Sequence, residues 1–270
     1  MSVLKTICLA FSMYSRVPMP QLMYTEKDMR YVFLGFPLIG VVIGILEMRW
    51  YILCEKLGIG NLFYASAASA IPFFVTGGFH MDGFLDTTDA LSSYGSQEKK
   101  LTILKDSHVG AFAVIWTGVY LVLNVGAYSE IHSSLAGSGN KMNIMTCVSF
   151  IYILSRITSG LAAVTFPSAT GKGAEKSSLA GFKKMSAKNI VRAGLLIYLL
   201  AAFGILTALH QVIGMTMLIA LAAVFLYYYK MSQKQFGGIT GDLAGWYLQV
   251  CEQVLLYIVV LGGYALGIGA

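Results

Sequence analysis

Long apolar runs separated by short polar segments dominate the chain. A helix needs about 20 apolar residues to cross a hydrocarbon core. Seven windows meet that length: 31–53, 62–79, 109–128, 142–166, 190–209, 212–229 and 248–268. The first is clean only as far as Leu46; Glu47 and Arg49 then interrupt it, so it is expected to be short, tilted or partly interfacial. The fifth and sixth are joined at His210 and Gln211 by almost nothing, which predicts a tight helical hairpin. No repeat of fixed period and no low-complexity linker divides the chain. The expected fold class is all-α: a polytopic integral membrane protein of about seven transmembrane helices, in one domain over 1–270.

Charge tests the count independently, because lysine and arginine accumulate in cytoplasmic segments. With the N-terminus inside, fourteen basic residues fall in the four cytoplasmic segments, against Arg49, Lys56 and Lys141 outside. Arg156 and Arg192 lie within windows. The expected setting is the inner (cytoplasmic) membrane, with the C-terminus outside and membrane lipid around the helices. Composition agrees: 57% hydrophobic and 12% charged residues, with mean hydropathy +0.70, against about 45–50% and 25% in soluble domains. A net charge of +6 would point a soluble protein toward nucleic acid. Here orientation accounts for it, and no nucleic-acid partner is expected. Cys8, Cys54, Cys147 and Cys251 form no CxxC pair and read as small buried hydrophobes. Nothing at the N-terminus has the form of a cleaved signal, so the start is expected to be retained.

Five of six aspartates fall in two cytoplasmic segments: Asp82, Asp86, Asp89 and Asp106 in one, Asp242 in the other. Positions 82, 86 and 89 are spaced i, i+4 and i+7, so a helix projects all three carboxylates from one face. Unpaired they repel, and a divalent cation between them relieves that repulsion. Carboxylates without cysteine suit Mg²⁺ or Mn²⁺, and His80 alone is too little for zinc. Acids that merely solvate a helix start are the simpler alternative. His80 is either a partner or proton carrier at the site, or an interfacial side chain.

Two further groups could complete an anion site. Lys105, Asp106, Ser107 and His108 combine a cation, a carboxylate and a hydroxyl, or else simply start the third window. Gly237-Gly238-Ile239-Thr240-Gly241-Asp242 is a glycine-rich turn whose amides could hold an anion, or a plain turn. Arg156 sits near the middle of the fourth window and needs an interior partner: an aspartate of the cluster, a substrate phosphate, or carbonyls of a broken helix. The basic stretch 171–188 is accounted for by orientation alone.

On these residues the chain resembles the cobalamin synthase family, the adenosylcobinamide-GDP ribazoletransferases. The resemblance runs through 11–20, Phe36-Pro37-Leu38-Ile39-Gly40, His-x-Asp-Gly-x-x-Asp-x-x-Asp at His80 to Asp89, 105–110, Ser155-Arg156 and 237–242. Two positions depart from the family pattern: Ala90 replaces a usual glycine, and His108 a usual arginine, a change that removes a guanidinium fork. The resemblance implies attack of an α-ribazole (or ribazole 5′-phosphate) hydroxyl on the phosphorus of adenosylcobinamide-GDP. GMP leaves, and adenosylcobalamin or its phosphate is formed, among the last steps of nucleotide-loop assembly. It implies Mg²⁺ held by Asp82, Asp86 and Asp89, with Asp89 or His80 as proton acceptor. Substrate would be bound by Arg156, Lys105, Asp106, His108, Gly238 and Asp242. Small-molecule substrates are the expected partners, with a homo-oligomer or association with pathway enzymes left open. The competing classes are another Mg²⁺-dependent membrane phosphotransferase, of CDP-alcohol or prenyl type, and a secondary transporter. The Asp-Gly-x-x-Ala-Arg run of the CDP-alcohol type is missing, and the acids lie at one face rather than at midplane.

Overall fold

A computed structural model describes residues 3–20, 22–25, 27–135, 141–169 and 178–265. The described residues form helices and no strands: α1 (Val3–Tyr14), α2 (Val32–Leu57), α3 (Asn61–Thr76), α4 (Phe79–Ser92), α5 (Gln97–Ile103), α6 (Ala111–Leu135), α7 (Lys141–Thr165), α8 (Ser178–Met185), α9 (Lys188–Leu209), α10 (Gln211–Phe236) and α11 (Gly241–Ala265). Six are long and apolar enough to cross a membrane, or seven if the bent pair α3–α4 counts as one span. The fold is that of a polytopic all-α membrane protein.

Helix α7 is the axis. Its apolar window is 83% buried, against 22% for α9 and 28% for α6. The close approach of α2 to α7 follows from Gly40 and Gly44, one turn apart. A Cβ on Gly44 would stand 2.7 Å from the Cβ of Ser149, and one on Gly40 would collide with the Tyr152 carbonyl. Ser149 Oγ donates to the Gly44 carbonyl at 3.0 Å. Small residues four apart permit this contact, and in lipid such packing and hydrogen bonding hold helices together. The outer faces of α6, α9 and α10 leave Val122, Leu200 and Ile219 exposed, as a lipid-facing surface requires.

Two expectations need correction. The first window is not interrupted at Glu47: α2 is continuous over 26 residues. Helical periodicity puts Ile43, Glu47 and Tyr51 on one buried face. There Glu47 accepts hydrogen bonds from the hydroxyls of Tyr128 and Tyr152, at 3.3 and 3.4 Å, while Arg49 stays exposed. The second window is broken rather than continuous to 79. Gly77 and Gly78 both adopt left-handed backbone, with φ of 68° and 81°, which glycine alone does at little cost. The chain therefore leaves α3 at 98° as α4. Helix α4 lies across the first turns of α11. The N-terminal stretch, to which no element was assigned above, is helical. At 12 residues α1 is too short to span, and it packs on α2, where Gly35 admits Ala10.

The α9–α10 hairpin is as expected, with His210 both ending one helix and starting the next. Among the described residues, the segments expected to be cytoplasmic meet at one end. Arg16 N donates to Val75 O at 2.7 Å, Ala187 N to Arg30 O at 3.0 Å, Ala169 N to Ile239 O at 3.1 Å, and Gln97 Nε2 to Lys234 O at 2.9 Å. At the other end Lys141 pairs with Glu55 at 2.7 Å. Residues 170–177, including Gly171, Lys172, Gly173 and Lys176, and the last residues of the seventh window lie outside the described residues.

Helix α4 rests on the first turns of α11 through two glycines. A Cβ on Gly83 would lie 2.5 Å from the Asp242 carbonyl oxygen, and one on Gly245 would lie 3.0 Å from that of His80. Backbone cannot yield as a flexible side chain does. Gly83→Ala is therefore expected to push α4 off α11, at a cost of about 1–3 kcal/mol, visible as a lower unfolding midpoint in detergent. An unchanged midpoint would show that the contact is not tight.

Candidate active site

The three aspartates with helical spacing do lie on a helix, α4. Asp82 is exposed, and Asp86 and Asp89 are half-buried. The Gly83 contact draws in Asp242 from the first turn of α11. Asp89 is seated against Gly110, where any Cβ would overlap its carboxylate, so the loop before α6 closes on the same surface. The Asp86 carboxyl is pushed up to about 7, first by burial and then by the charges of Asp82, Asp242 and Asp89. Four acids thus crowd one surface. Among the described residues, no three His, Cys, Asp or Glu side chains form a ready-made metal cage. A Mg²⁺ site built on one or two carboxylates, with water and phosphate completing the shell, needs no such cage. The all-oxygen donor set fits such an ion.

The glycine-rich turn is occupied by its own backbone. Gly237 and Gly238 close α10 in a Schellman arrangement, their amides donating to Gln233 O and Ser232 O at 3.2 and 3.1 Å. Ile239 N donates to Pro167 O at 2.9 Å, and Thr240 Oγ1 caps α11 by accepting from Leu243 N at 3.2 Å. Gly238 therefore offers no free amide to an anion in this conformation; the turn serves to aim Asp242. Lys105 lies within electrostatic reach of Asp242. Asp106 and His108 form a self-contained exposed turn: Asp106 Oδ1 accepts from the His108 amide at 3.0 Å and lies 2.7 Å from its Nδ1.

His80 is buried on α4, and burial together with the charge of Arg156 pushes its imidazole down to about 3. A ring so reluctant to take a proton is a poor base at neutral pH. Arg156 finds a partner that the sequence reading did not consider. Its Nη1 lies 2.6 Å from Glu252 Oε1 on α11 and also donates to Tyr152 O and Ser155 Oγ at 3.0 and 3.2 Å. Its Nε and Nη2 have no protein partner. Tyr152 extends the network to Tyr128 and Glu47. A cavity of about 10 Å³ bounded by Tyr120, Asn124, Tyr152 and Glu252 has room for about one water. Glu252 and Glu47 were findable: each is a lone acid inside an apolar window, and intramembrane acids of that kind come paired.

Beside the aspartates a second cavity, of about 280 Å³, opens between α1, α2, α4, α7, α8 and the start of α11. Tyr14, Phe33, Phe36 and Phe79 line it, with Asp82 and Asp242 also in its wall.

Fold and site together define a multi-pass membrane protein with a carboxylate-rich face at one end of its helical bundle. The family model described as cobalamin-5-phosphate synthase matches residues 6–260. A protein of Lachnoclostridium phytofermentans named adenosylcobinamide-GDP ribazoletransferase is 37% identical over 97% of this chain and 95% of its own length. One of that name from Clostridium perfringens is 35% identical over 92% and 94%, and one from Clostridium botulinum 32% identical over 95% and 97%. No solved structure matches. The chain belongs to the cobalamin-5-phosphate synthase family.

Proposed function

We propose that the chain is an adenosylcobinamide-GDP ribazoletransferase. A ribose hydroxyl of α-ribazole, or of its 5′-phosphate, forms a new P–O bond to the cobinamide-bearing phosphorus, and the bond to GMP breaks. The observation that carries this reading is the meeting of Asp82, Asp86, Asp89 and Asp242 on one surface of a chain in this family. Asp82 and Asp86 would hold Mg²⁺, which when bound neutralises diphosphate charge and stabilises the leaving phosphate. Asp89 accepts the proton of the attacking hydroxyl. Lys105 balances charge near Asp242 and steers the anionic donor toward it. Neutral, buried His80 contributes a hydrogen bond rather than a proton. The setting is the inner membrane, with the aspartate-bearing end in the cytoplasm. The concentration of basic residues at that end supports this orientation. The phosphotransferase and transporter alternatives are not favoured, since the relatives share the ribazoletransferase name over nearly their full length.

Membranes containing the chain, incubated with cobinamide-GDP, α-ribazole and Mg²⁺, are expected to release GMP and one completed corrinoid per GMP, read by mass spectrometry. Absence of both products, with the protein folded and inserted, would overturn the assignment.

A further inference from the structure

Toward the end of α2 that lies away from the aspartates, one charge on a membrane-spanning helix is left over. Arg49 is exposed and, among the described residues, makes no ion pair or hydrogen bond. The described acids of that end are engaged elsewhere. Glu47 turns inward to Tyr128 and Tyr152, Glu55 holds Lys141 at 2.7 Å, and Glu130 accepts from Tyr264. With 26 residues, α2 is about 39 Å long and exceeds a hydrocarbon core of about 30 Å. Arg49, about two turns before Leu57, therefore falls near the headgroup boundary, a level that tryptophan favours and where Trp50 follows it. A groove of about 530 Å³ includes Arg49 and runs between α2 and α7. Its floor is the seam where Gly44 meets Ser149, and Val41, Ile45, Ile52 and Ile153 form its walls. Ser149 Oγ is committed to the Gly44 and Met145 carbonyls, each at 3.0 Å, so the floor offers no free donor. From Arg49 down to Val41 the groove follows α2 for about 12 Å, most of the roughly 15 Å that one leaflet contributes to the core.

We propose that this groove holds one anionic phospholipid, its phosphate on the Arg49 guanidinium and one acyl chain laid between α2 and α7 down to Val41. Charge complementarity carries the choice of occupant. A guanidinium fork matches a phosphate in bidentate geometry, and a charged side chain facing lipid is costly until it reaches such a partner. An anionic headgroup fits better than a zwitterionic one, whose own ammonium competes for the phosphate. A second copy of the chain docked here would have to bring a free acid to Arg49, and the described acids at that end are all engaged. The apolar walls supply the second half of the recognition, since a soluble anion would leave them unused. The lipid would cover the Gly44–Ser149 contact and so brace α2 against α7, the two helices that carry Glu47 and Tyr152. This inference does not depend on the reaction the aspartates perform.

The test uses the purified full chain in detergent, titrated with phosphatidylglycerol or with phosphatidylcholine of the same acyl chains. Native mass spectrometry counts bound lipid, and thermal unfolding reads its effect on stability. The wild type should retain one phosphatidylglycerol after loosely held lipid is stripped, and its unfolding midpoint should rise with that lipid more than with phosphatidylcholine. Arg49→Gln should weaken phosphatidylglycerol binding at least about tenfold, the scale of hydrogen bonds to a charged group. Arg49→Lys, which keeps the charge and loses the fork, should fall between the two. Val41→Trp fills the groove and leaves Arg49 in place, so it should also release the lipid. Each variant is compared with its own lipid-free midpoint, so a change in fold stability alone does not register. Equal response of the wild type to the two lipids, or retention unaltered in both Arg49→Gln and Val41→Trp, would overturn the proposal. Inorganic phosphate that raises the midpoint as far as phosphatidylglycerol would give Arg49 to a soluble anion, and a dimer abolished by Val41→Trp would give the groove to a second copy; either result would overturn it.

Discussion

Asp82→Asn or Asp86→Asn is expected to lower turnover at least about a hundredfold, the scale on which removing one charge-stabilising group acts in a preorganised site. The protein should remain inserted and helical. Asparagine keeps the volume of aspartate and removes its charge, so the loss would belong to electrostatics and not to packing. A second readout needs no turnover. Asp86 has a folded pKa of about 7 against an ordinary value of 3.8. The folded protein therefore binds more protons than the unfolded one between those values, and stability should fall as pH rises through that window. Asp86→Asn should flatten this slope, and Mg²⁺ should restore stability of the unmodified chain above pH 7 by offsetting the repulsion. Equal turnover in both variants, together with unfolding midpoints that ignore pH and Mg²⁺, would remove the carboxylate cluster from the mechanism.

The parts of this site that were legible in the sequence were those encoded locally. Spacing of 82, 86 and 89 is a property of one helix, and α4 realises it. The apolar windows likewise report on single segments, and six of them appear as continuous helices. What could not be read was where segments turn and whom they meet. Gly77 and Gly78 fall inside the second window, and only the fold shows that they turn the chain into α4 instead of continuing a straight span. Gly83 looked like one glycine in a motif; its role is to let α4 touch the backbone of Asp242, a long-range fact. The reading of Glu47 as an interruption treated charge as a property of position along the chain. In the fold it is a property of helix face, and that face points inward to Tyr128 and Tyr152.

The same reasoning applies to Arg156, whose partner the sequence left open and the fold supplies as Glu252. Both side chains are buried, so removing one leaves the other as an uncompensated charge. Glu252→Ala is expected to destabilise the protein by about 3–5 kcal/mol, whereas Arg156→Met combined with Glu252→Leu should recover most of that loss, because desolvating an ion pair costs much of what its attraction returns. Unfolding in detergent measures both. The double variant also separates scaffold from chemistry. Arg156 keeps Nε and Nη2 without protein partners and acts electrostatically on His80, so the guanidinium has capacity beyond Glu252. A refolded double variant with full turnover would make the pair a structural clasp between α7 and α11. Turnover lost in a stable double variant would give Arg156 the anion-binding role that the family resemblance implies, since a methionine can fill its space but cannot carry its charge.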